Sequence, residues 1–470
     1  MITPSNVPLQ VFHSAFNIQH SAFLRYLVPF LLLGLWMTLP SHAAEEPTTA
    51  MKADDFLKSI GVCTHITQGE DDPAKIAESL SYAGIRGIRD DGSENPKALQ
   101  SFVDVHAKSG ARVVPLPING NIAASLQEYE TLSAAGALLA VEGPNEPNNF
   151  RVTYKGERSS NKTSMPVALF QRDLYAAVKA DPRLAGVPVF HSSEAGGSEP
   201  DNCGLQFLTI PAGAGALMPD GTKYADYANT HNYVCGHNLK GITEDNIAWN
   251  AEDPTLKGEW DGMFVEYGHT WRGKGFDGYS KDQLESLPRV TTETGWSTRT
   301  GGGGNRTAIS EQEQGKLFLN LYLDAFKRHW SYTFIYMLRD SPGQGYWGLV
   351  DHDYQPKASG TYLHNLTTIL ADKSSPFKPG VFNYSIPGQP ATAHDLLMQK
   401  STGVFELAVW GEQAKGSSDV TVQLGANYPS AKVYDPTVGV TPIQTLANVS
   451  AVPLTLSDHA FIIEIESSGH

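Results

Sequence analysis

From Ser59 onward, short apolar runs alternate with segments whose apolar positions recur every three or four residues. A run of four to eight apolar residues suits a buried strand, whereas the three-to-four spacing puts one apolar face on a helix. The spacing predicts a strand over Ser59–Ile66, then a helix over Asp72–Ala83. Asp72 stands at the cap of that helix and Pro73 at its first position, where a missing N–H costs nothing. The pair repeats as Ile85–Arg89 before Lys97–Lys108, and as Arg112–Leu116 before Ile122–Ala135. Leu138–Glu142 precedes a helix over Pro166–Ala180, and Val187–Phe190 and Tyr227–Tyr233 read as two further strands. Arg289–Glu293 leads to Ser310–His329, where Glu313 completes a capping box with Ser310. Tyr332–Met337 then leads to Ser359–Leu370.

Eight strands separated mostly by helices, over about 320 residues, predict a parallel sheet. Eight units suit a closed (β/α)8 TIM barrel better than an open sheet, and they set its bounds at 52–372. No G-x-G-x-x-G follows the first strand, which disfavours a dinucleotide fold. Two long insertions, 192–226 and 234–288, are expected over the face of the barrel where function sits. Beyond about Ala371 the helical period disappears. Val404–Trp410, Val420–Leu424, Ala431–Tyr434, Val452–Leu456 and Ala460–Ile465 are short strands set apart by turn residues. They predict a C-terminal all-β sandwich over 391–470, joined by a proline-containing linker at 373–390.

The N-terminus has a different character. Leu27–Leu39 is a thirteen-residue apolar run, preceded by Arg25 and followed by Ser41-His42-Ala43. A bilayer span needs roughly 20 residues, so the segment reads as a secretory signal cut after Ala43. The expectation is a secreted or periplasmic protein with no membrane span in the mature chain. His-Ser-Ala-Phe occurs twice before this run, at 13–16 and 20–23, and the true start is expected further in.

Charge narrows the partners. Lys and Arg number 35 against 50 Asp and Glu, a formal net charge of −15. A face that grips phosphates must be basic, so nucleic acid is excluded as the partner. Three cysteines rule out a disulfide scaffold and a four-thiolate zinc site. Cys63, in an apolar strand, reads as a buried free thiol. Export allows a Cys203–Cys235 bridge, and two free thiols are the other outcome.

In a barrel, function lies where strands end. The fourth strand runs through Val141-Glu142-Gly143-Pro144 into Asn145-Glu146-Pro147-Asn148, and the seventh through Thr291-Thr292 into Glu293-Thr294-Gly295-Trp296. An unpaired buried carboxylate is costly, so a glutamate embedded at a strand end needs a partner or a task. Two such glutamates on two strands point to acid/base and nucleophilic work rather than to two structural ion pairs.

Gly-Pro-Asn-Glu-Pro-Asn at 143–148 resembles the Asn-Glu-Pro acid/base motif of the clan A glycoside hydrolases. Thr-Glu-Thr-Gly-Trp-Ser at 292–297 resembles the clan's nucleophile motif on strand seven, with the Gly-Trp pair of its plant-type β-1,3-glucanases. The resemblance implies a (β/α)8 barrel that hydrolyses β-glycosidic bonds of an oligo- or polysaccharide with retention and without a cofactor. It implies Glu146 as general acid/base and Glu293 as nucleophile. In a retaining site the carboxyls stand roughly 5–5.5 Å apart, and their repulsion keeps the acid protonated near neutral pH. Arg89 matches the arginine that the clan sets beside its nucleophile; its structural alternative is an ion pair with Asp90 or Asp91. His231 and Tyr233 match the clan's His or Tyr donor on strand six, and Asn145 the asparagine that binds the sugar 2-hydroxyl. His65 and His191, with Glu194 nearby, fall where the clan places polar residues for sugar hydroxyls. Strand eight carries Tyr336-Met337 where many members have a Trp, and Trp347 is the candidate substitute. Trp296, beside the nucleophile, is expected to line the site. Trp249, Trp260, Tyr267 and Trp271 are either stacking platforms or a small core for their own insertion.

Other chemistries are less well supported. His231, Cys235 and His237 fall within seven residues and suggest a metal-dependent barrel hydrolase, but no H-E-x-x-H or second cysteine pair accompanies them. Gly301–Gly304 lacks the Lys-Ser/Thr of a phosphate loop and reads as a mobile loop, and no G-x-S-x-G occurs. A non-catalytic carbohydrate-binding protein is the remaining alternative, although such a protein has no reason to keep both glutamates.

Overall fold

The computed structural model describes residues 47–193, 204–233, 286–299 and 309–466, apart from 119, 148, 161–162, 206, 232, 374 and 414. The segment 1–43 expected to be a signal, Glu194, Cys203, Cys235, His237, the four aromatics of the 234–288 insertion and the glycine run 301–304 lie outside them.

Six strands form one curled parallel sheet in the order Arg112–Pro115, Gly87–Asp90, Ile60–Cys63, Trp330–Ile335, Arg289–Thr294, Ala228–His231. The expected fourth and fifth strands are held by separate backbone hydrogen bonds rather than by a regular ladder. Leu139 N donates to Val113 O, Val141 N to Pro188 O, Phe190 N to Val141 O, and His191 N to Tyr227 O. Pro144 and Pro188 remove donors here, which is why the ladder is broken. Large side chains pack between the strands: Phe334 lies against Gly61, where a Cβ would collide with its ring.

Helices follow the strands where the sequence places them, with their own punctuation. Pro73–Ala83 starts at Asp72, whose carboxylate accepts from Ala74 N at 2.8 Å, and ends at Gly84, in the left-handed region at φ 71°. Glu311–Lys327 starts at the predicted Ser310/Glu313 capping box. No helix among the described residues is long and apolar enough to cross a membrane.

The C-terminal residues form one six-stranded sheet, in the order Gln444–Leu456, Ser418–Tyr434, Ala460–Ile465, Phe405–Gly411, Ala393–Gln399, Met51–Lys52. Both faces are buried because side chains alternate across a strand. Leu396, Met398, Ala408, Trp410 and Ile462 join the core of the parallel sheet, while Leu397, Leu407, Val409 and Ile463 form a second core. The expected second layer is not a separate sheet. The long hairpin 418–456 shifts register between Gln423 and Tyr428, and its outer half carries Val422 and Leu454 into the second core. Thr48–Thr49 pairs with Val381–Phe382, which ties the N-terminal segment to the stretch between the two regions. Lys316–Asp458 (2.9 Å) and Asn320 Nδ2 to Gly411 O (3.0 Å) fasten the helix Glu311–Lys327 to the β-region.

Candidate active site

The carboxyl ends of the parallel strands bring six charged or titratable side chains together, those of Arg89, Glu142, Glu146, His231, Tyr233 and Glu293. Arg89 ends the strand Gly87–Asp90 and is buried, so its guanidinium must find acceptors. Its Nε and Nη2 donate to the two oxygens of Glu142 at 2.7 and 3.0 Å, Nη1 to Glu293 Oε1 at 2.7 Å, and Nη2 also to Asn145 Oδ1 at 2.7 Å. The alternative pairing of Arg89 with Asp90 does not form. Asp90 accepts instead from Thr64 Oγ1, Thr67 Oγ1 and Ile66 N, and burial pushes its carboxyl up to about 7 against those bonds.

Glu293 receives a second donor at its other oxygen, Tyr233 Oη at 2.7 Å. Burial, then the charge of Glu293, raises the Tyr233 phenol well above its ordinary value, so it stays a donor. Glu146 is reached from the opposite side. His231 Nδ1 lies 2.8 Å from Glu146 Oε1 and 3.5 Å from Glu293 Oε2, and Asn149 Nδ2 donates to Glu146 Oε2 at 2.8 Å. Atoms of Glu146, His231 and Glu293 lie within 4.8 Å of one another, so the two carboxylates face each other across a short gap.

These contacts set the charge of Glu146. Burial opposes ionisation, but the hydrogen bond and charge of His231, then Asn149 and Arg89, outweigh it and hold the carboxyl at about 2. The sequence argument, which considered only repulsion between the two carboxyls, expects a protonated acid near neutral pH. The donors on strand six and on its own turn outweigh that repulsion, and Glu146 lies within proton-sharing distance of His231 Nδ1 at 2.8 Å.

Two residues that sequence reasoning passed over complete the set. Glu142, fully buried, neutralises Arg89, and Thr292 Oγ1 touches Glu142 Oε1 (3.0 Å), Asn229 Oδ1 (3.0 Å) and His231 Nε2 (3.1 Å). The signal for Glu142 was present: a glutamate inside the apolar run Leu138–Glu142, three positions after which Asn145-Glu146 took the attention.

The outer residues divide. His65 packs edge-on against Tyr336, with ring centroids 5.6 Å apart. Tyr336 and Tyr233 both meet Trp347, at 6.1 and 5.4 Å, so Tyr336 extends the wall beside Glu293, with His65 and the buried Trp347 packed against it. Tyr336 thus occupies the strand-eight end where a tryptophan was sought. His191 and Trp296 are placed elsewhere. His191 packs on Tyr224 and meets Ser192 Oγ, burial lowers it to about 3, and none of these contacts reaches the glutamates. Trp296 is 1% exposed within the core, so its ring offers no open face to a sugar.

No protein-family model matches the chain, and comparison with curated proteins returns no relative. Its fold is similar to that of solved glycoside hydrolases. A family 30 subfamily 8 xylanase from Clostridium acetobutylicum aligns with a TM-score of 0.50 at 12% identity, covering 90% of this chain and 98% of that one. A family 51 arabinofuranosidase from Xanthomonas axonopodis pv. citri aligns with a TM-score of 0.51 at 12% identity, over 83% of this chain and 89% of that one. At this identity the likeness shows the fold alone, a mixed α/β fold built on a curled parallel sheet.

Proposed function

We propose that the protein is an exported glycoside hydrolase that cleaves β-glycosidic bonds of an oligo- or polysaccharide by double displacement, with retention. The observation that carries this reading is the pairing of Glu146 and Glu293, with oxygens within 4.8 Å, at the carboxyl ends of a parallel sheet. That spacing suits a retaining site, where one carboxylate attacks directly and no water must fit between them. The hydrogen bonds through 138–142 and 187–190 support closure of the sheet into a (β/α)8 barrel, and the doubled C-terminal core supports a sandwich.

Glu293, held by Arg89 and Tyr233, attacks the anomeric carbon and forms an ester as the leaving-group oxygen departs. The departing oxygen takes a proton from Glu146. Thr292 Oγ1 lies 3.0 Å from Glu142 and Asn229 and 3.1 Å from His231 Nε2; in this mechanism its hydroxyl donates to Glu142 and Nε2 carries its own hydrogen. Nδ1 and Glu146 then share one proton across 2.8 Å, and that proton goes to the leaving group. Glu146, now a base, takes a proton from water as the water's oxygen attacks the anomeric carbon and frees Glu293. Glu142 keeps the charge of Arg89 balanced, so the arginine orients Glu293 without pinning it.

Glu293→Gln is the decisive experiment: turnover should fall by at least 10^3, while wild-type product, followed by NMR, first appears as the retained anomer. An inverted first product would sink the mechanism. The same Glu146–His231–Glu293 trio has the donors of a metal site, which keeps the metal-dependent hydrolase as the second reading. Loss of activity on chelation, with activity surviving Glu293→Gln, would select it. Arg89, already 2.7 Å from Glu293, argues against a cation there. A saccharide-binding protein without turnover is tested by the same assays.

A further inference from the structure

A second set of metal-type ligands stands apart from the two glutamates. His394 lies opposite Trp410 on the paired strands Ala393–Gln399 and Phe405–Gly411, and Glu412 extends the pairing by donating its N–H to Thr392 O at 2.8 Å. Residues two positions apart on a strand share a face, so His394, Trp410 and Glu412 point to the same side of the sheet. Trp410 joins the core of the parallel sheet there, and the helix Glu311–Lys327 sets Asp324 against the group. One donor atom from each of Asp324, His394 and Glu412 lies within 4.8 Å of the other two. The strands Arg289–Thr294 and Trp330–Ile335 are parallel, so the helix between them runs back and brings Asp324 to their amino ends. That is the end opposite Glu146 and Glu293, where residues of such sheets serve stability rather than chemistry.

Ion pairing alone does not explain the set. His394 Nε2 lies 2.9 Å from Glu412 Oε2 yet makes no hydrogen bond, because its N–H direction misses the oxygen. Two donor atoms this close, neither aimed at the other, converge on a third point. Asp324 Oδ2 accepts from Arg328 Nε at 2.7 Å, whereas Asp324 Oδ1 is buried and hydrogen-bonds to nothing among the described residues. A buried carboxylate oxygen left so is costly, and a cation would satisfy it. The other nearby cation, Lys327, turns to Asp395 at 3.7 Å and to the Trp410 ring. At Glu293, Arg89 and Tyr233 hold both oxygens; here Arg328 holds one and leaves the second to an ion. One imidazole nitrogen with two carboxylate oxygens suits a transition ion rather than Ca2+ or Mg2+, which take oxygen ligands. The His394 side chain is 22% exposed, which gives the ion a route from solvent. We propose that Asp324, His394 and Glu412 form a structural site for a divalent transition-metal ion of the Zn2+ type, which clamps the helix Glu311–Lys327 to the β-region. The ion takes the lone pair of Nε2, so a proton held there leaves to solvent.

The test is calorimetric titration of Zn2+ into the full chain after it has been stripped with a chelator, with Tm read on the same samples. Wild type should bind Zn2+ and gain in Tm as the ion is added. His394→Gln should weaken binding by about a hundredfold or more, since even residues behind a ligand cost roughly 10–100-fold, and should abolish the gain in Tm. Asp324→Asn, which keeps an acceptor for Arg328, should do the same, and it carries the test where His394→Gln fails to fold. Glu293→Gln should bind Zn2+ as wild type does. Absence of binding to stripped wild type, or binding that survives both His394→Gln and Asp324→Asn, would overturn the site. Binding lost in Glu293→Gln and kept in His394→Gln would put the ion between the two glutamates and overturn it as well.

Discussion

Removing the carboxyl at position 146 should separate substrates by their need for a proton. General acid catalysis contributes roughly 10^2–10^4 in rate, or about 3–5 kcal/mol of barrier. Glu146→Ala should therefore slow a natural oligosaccharide by that factor, because an alkoxide cannot leave unprotonated. It should slow p-nitrophenyl glycosides far less, since that phenolate leaves without help. The structure also predicts a smaller loss common to both substrates. Once Glu146 is gone, His231 Nδ1 has one carboxylate left within reach, Glu293 Oε2 at 3.5 Å. A third donor on Glu293 would strengthen a charge-assisted hydrogen bond and blunt the nucleophile, by about tenfold. The assay is steady-state kinetics on a matched pair of substrates. Azide added to the variant needs no general base and should restore turnover of the aryl glycoside, giving a glycosyl azide of retained configuration. Equal losses on both substrates would refute the assignment of Glu146. An azide product of inverted configuration would mean that the two glutamates have exchanged roles.

Two further predictions concern stability. Glu128 is buried, with Oε1 accepting from Ser93 N at 3.0 Å and Oε2 lacking a partner, and burial pushes its carboxyl from 4.5 up to about 8. The folded state then binds its proton more tightly than the unfolded state, so its favourable contribution is complete below about 4.5 and is lost as pH rises through 8. Glu128→Gln, which keeps an acceptor for Ser93, should raise Tm more at pH 9 than at pH 5, and a lower Tm at both would refute this. Trp410 is wholly buried in the core that the β-region shares with the parallel sheet, with its ring stacked on His394 at 5.5 Å. Trp410→Ala should cost about 3–5 kcal/mol, read as a lower denaturation midpoint with the kcat of the remaining folded enzyme unchanged, and an unshifted midpoint would show that the β-region is not needed for barrel stability.

The parts of the fold that were legible in the sequence are those that neighbouring residues dictate. The helix starts at Asp72 and Ser310 are hydrogen bonds between residues two or three positions apart, so the chain carries them without tertiary help. The strand-end position of Glu146 and Glu293 follows from two apolar runs in the same way. The outlook was poorer wherever a side chain's direction decides. His191 and Trp296 lie on the expected segments yet are buried in core contacts, which only the folded chain supplies. Of the C-terminal strands, Ala393–Gln399 was missed, and Val420–Leu424 and Ala431–Tyr434 proved to be one strand, Ser418–Tyr434, whose register shift between Gln423 and Tyr428 no local pattern announces.

Glu142 shows why the site was only partly readable. A sequence can mark a carboxylate as buried, since it sits in Leu138–Glu142, but not say which cation repays the burial. The repayment comes from Arg89, 53 positions away, and Arg89 also holds Glu293, 204 positions away. One guanidinium thus couples the strand that leads to Glu146 with the strand that carries Glu293. The geometry between the glutamates is therefore set by a residue that is neither of them. It follows that Arg89 cannot be exchanged for Lys, whose single ammonium lacks the planar fork needed to serve Glu142, Asn145 and Glu293 at once.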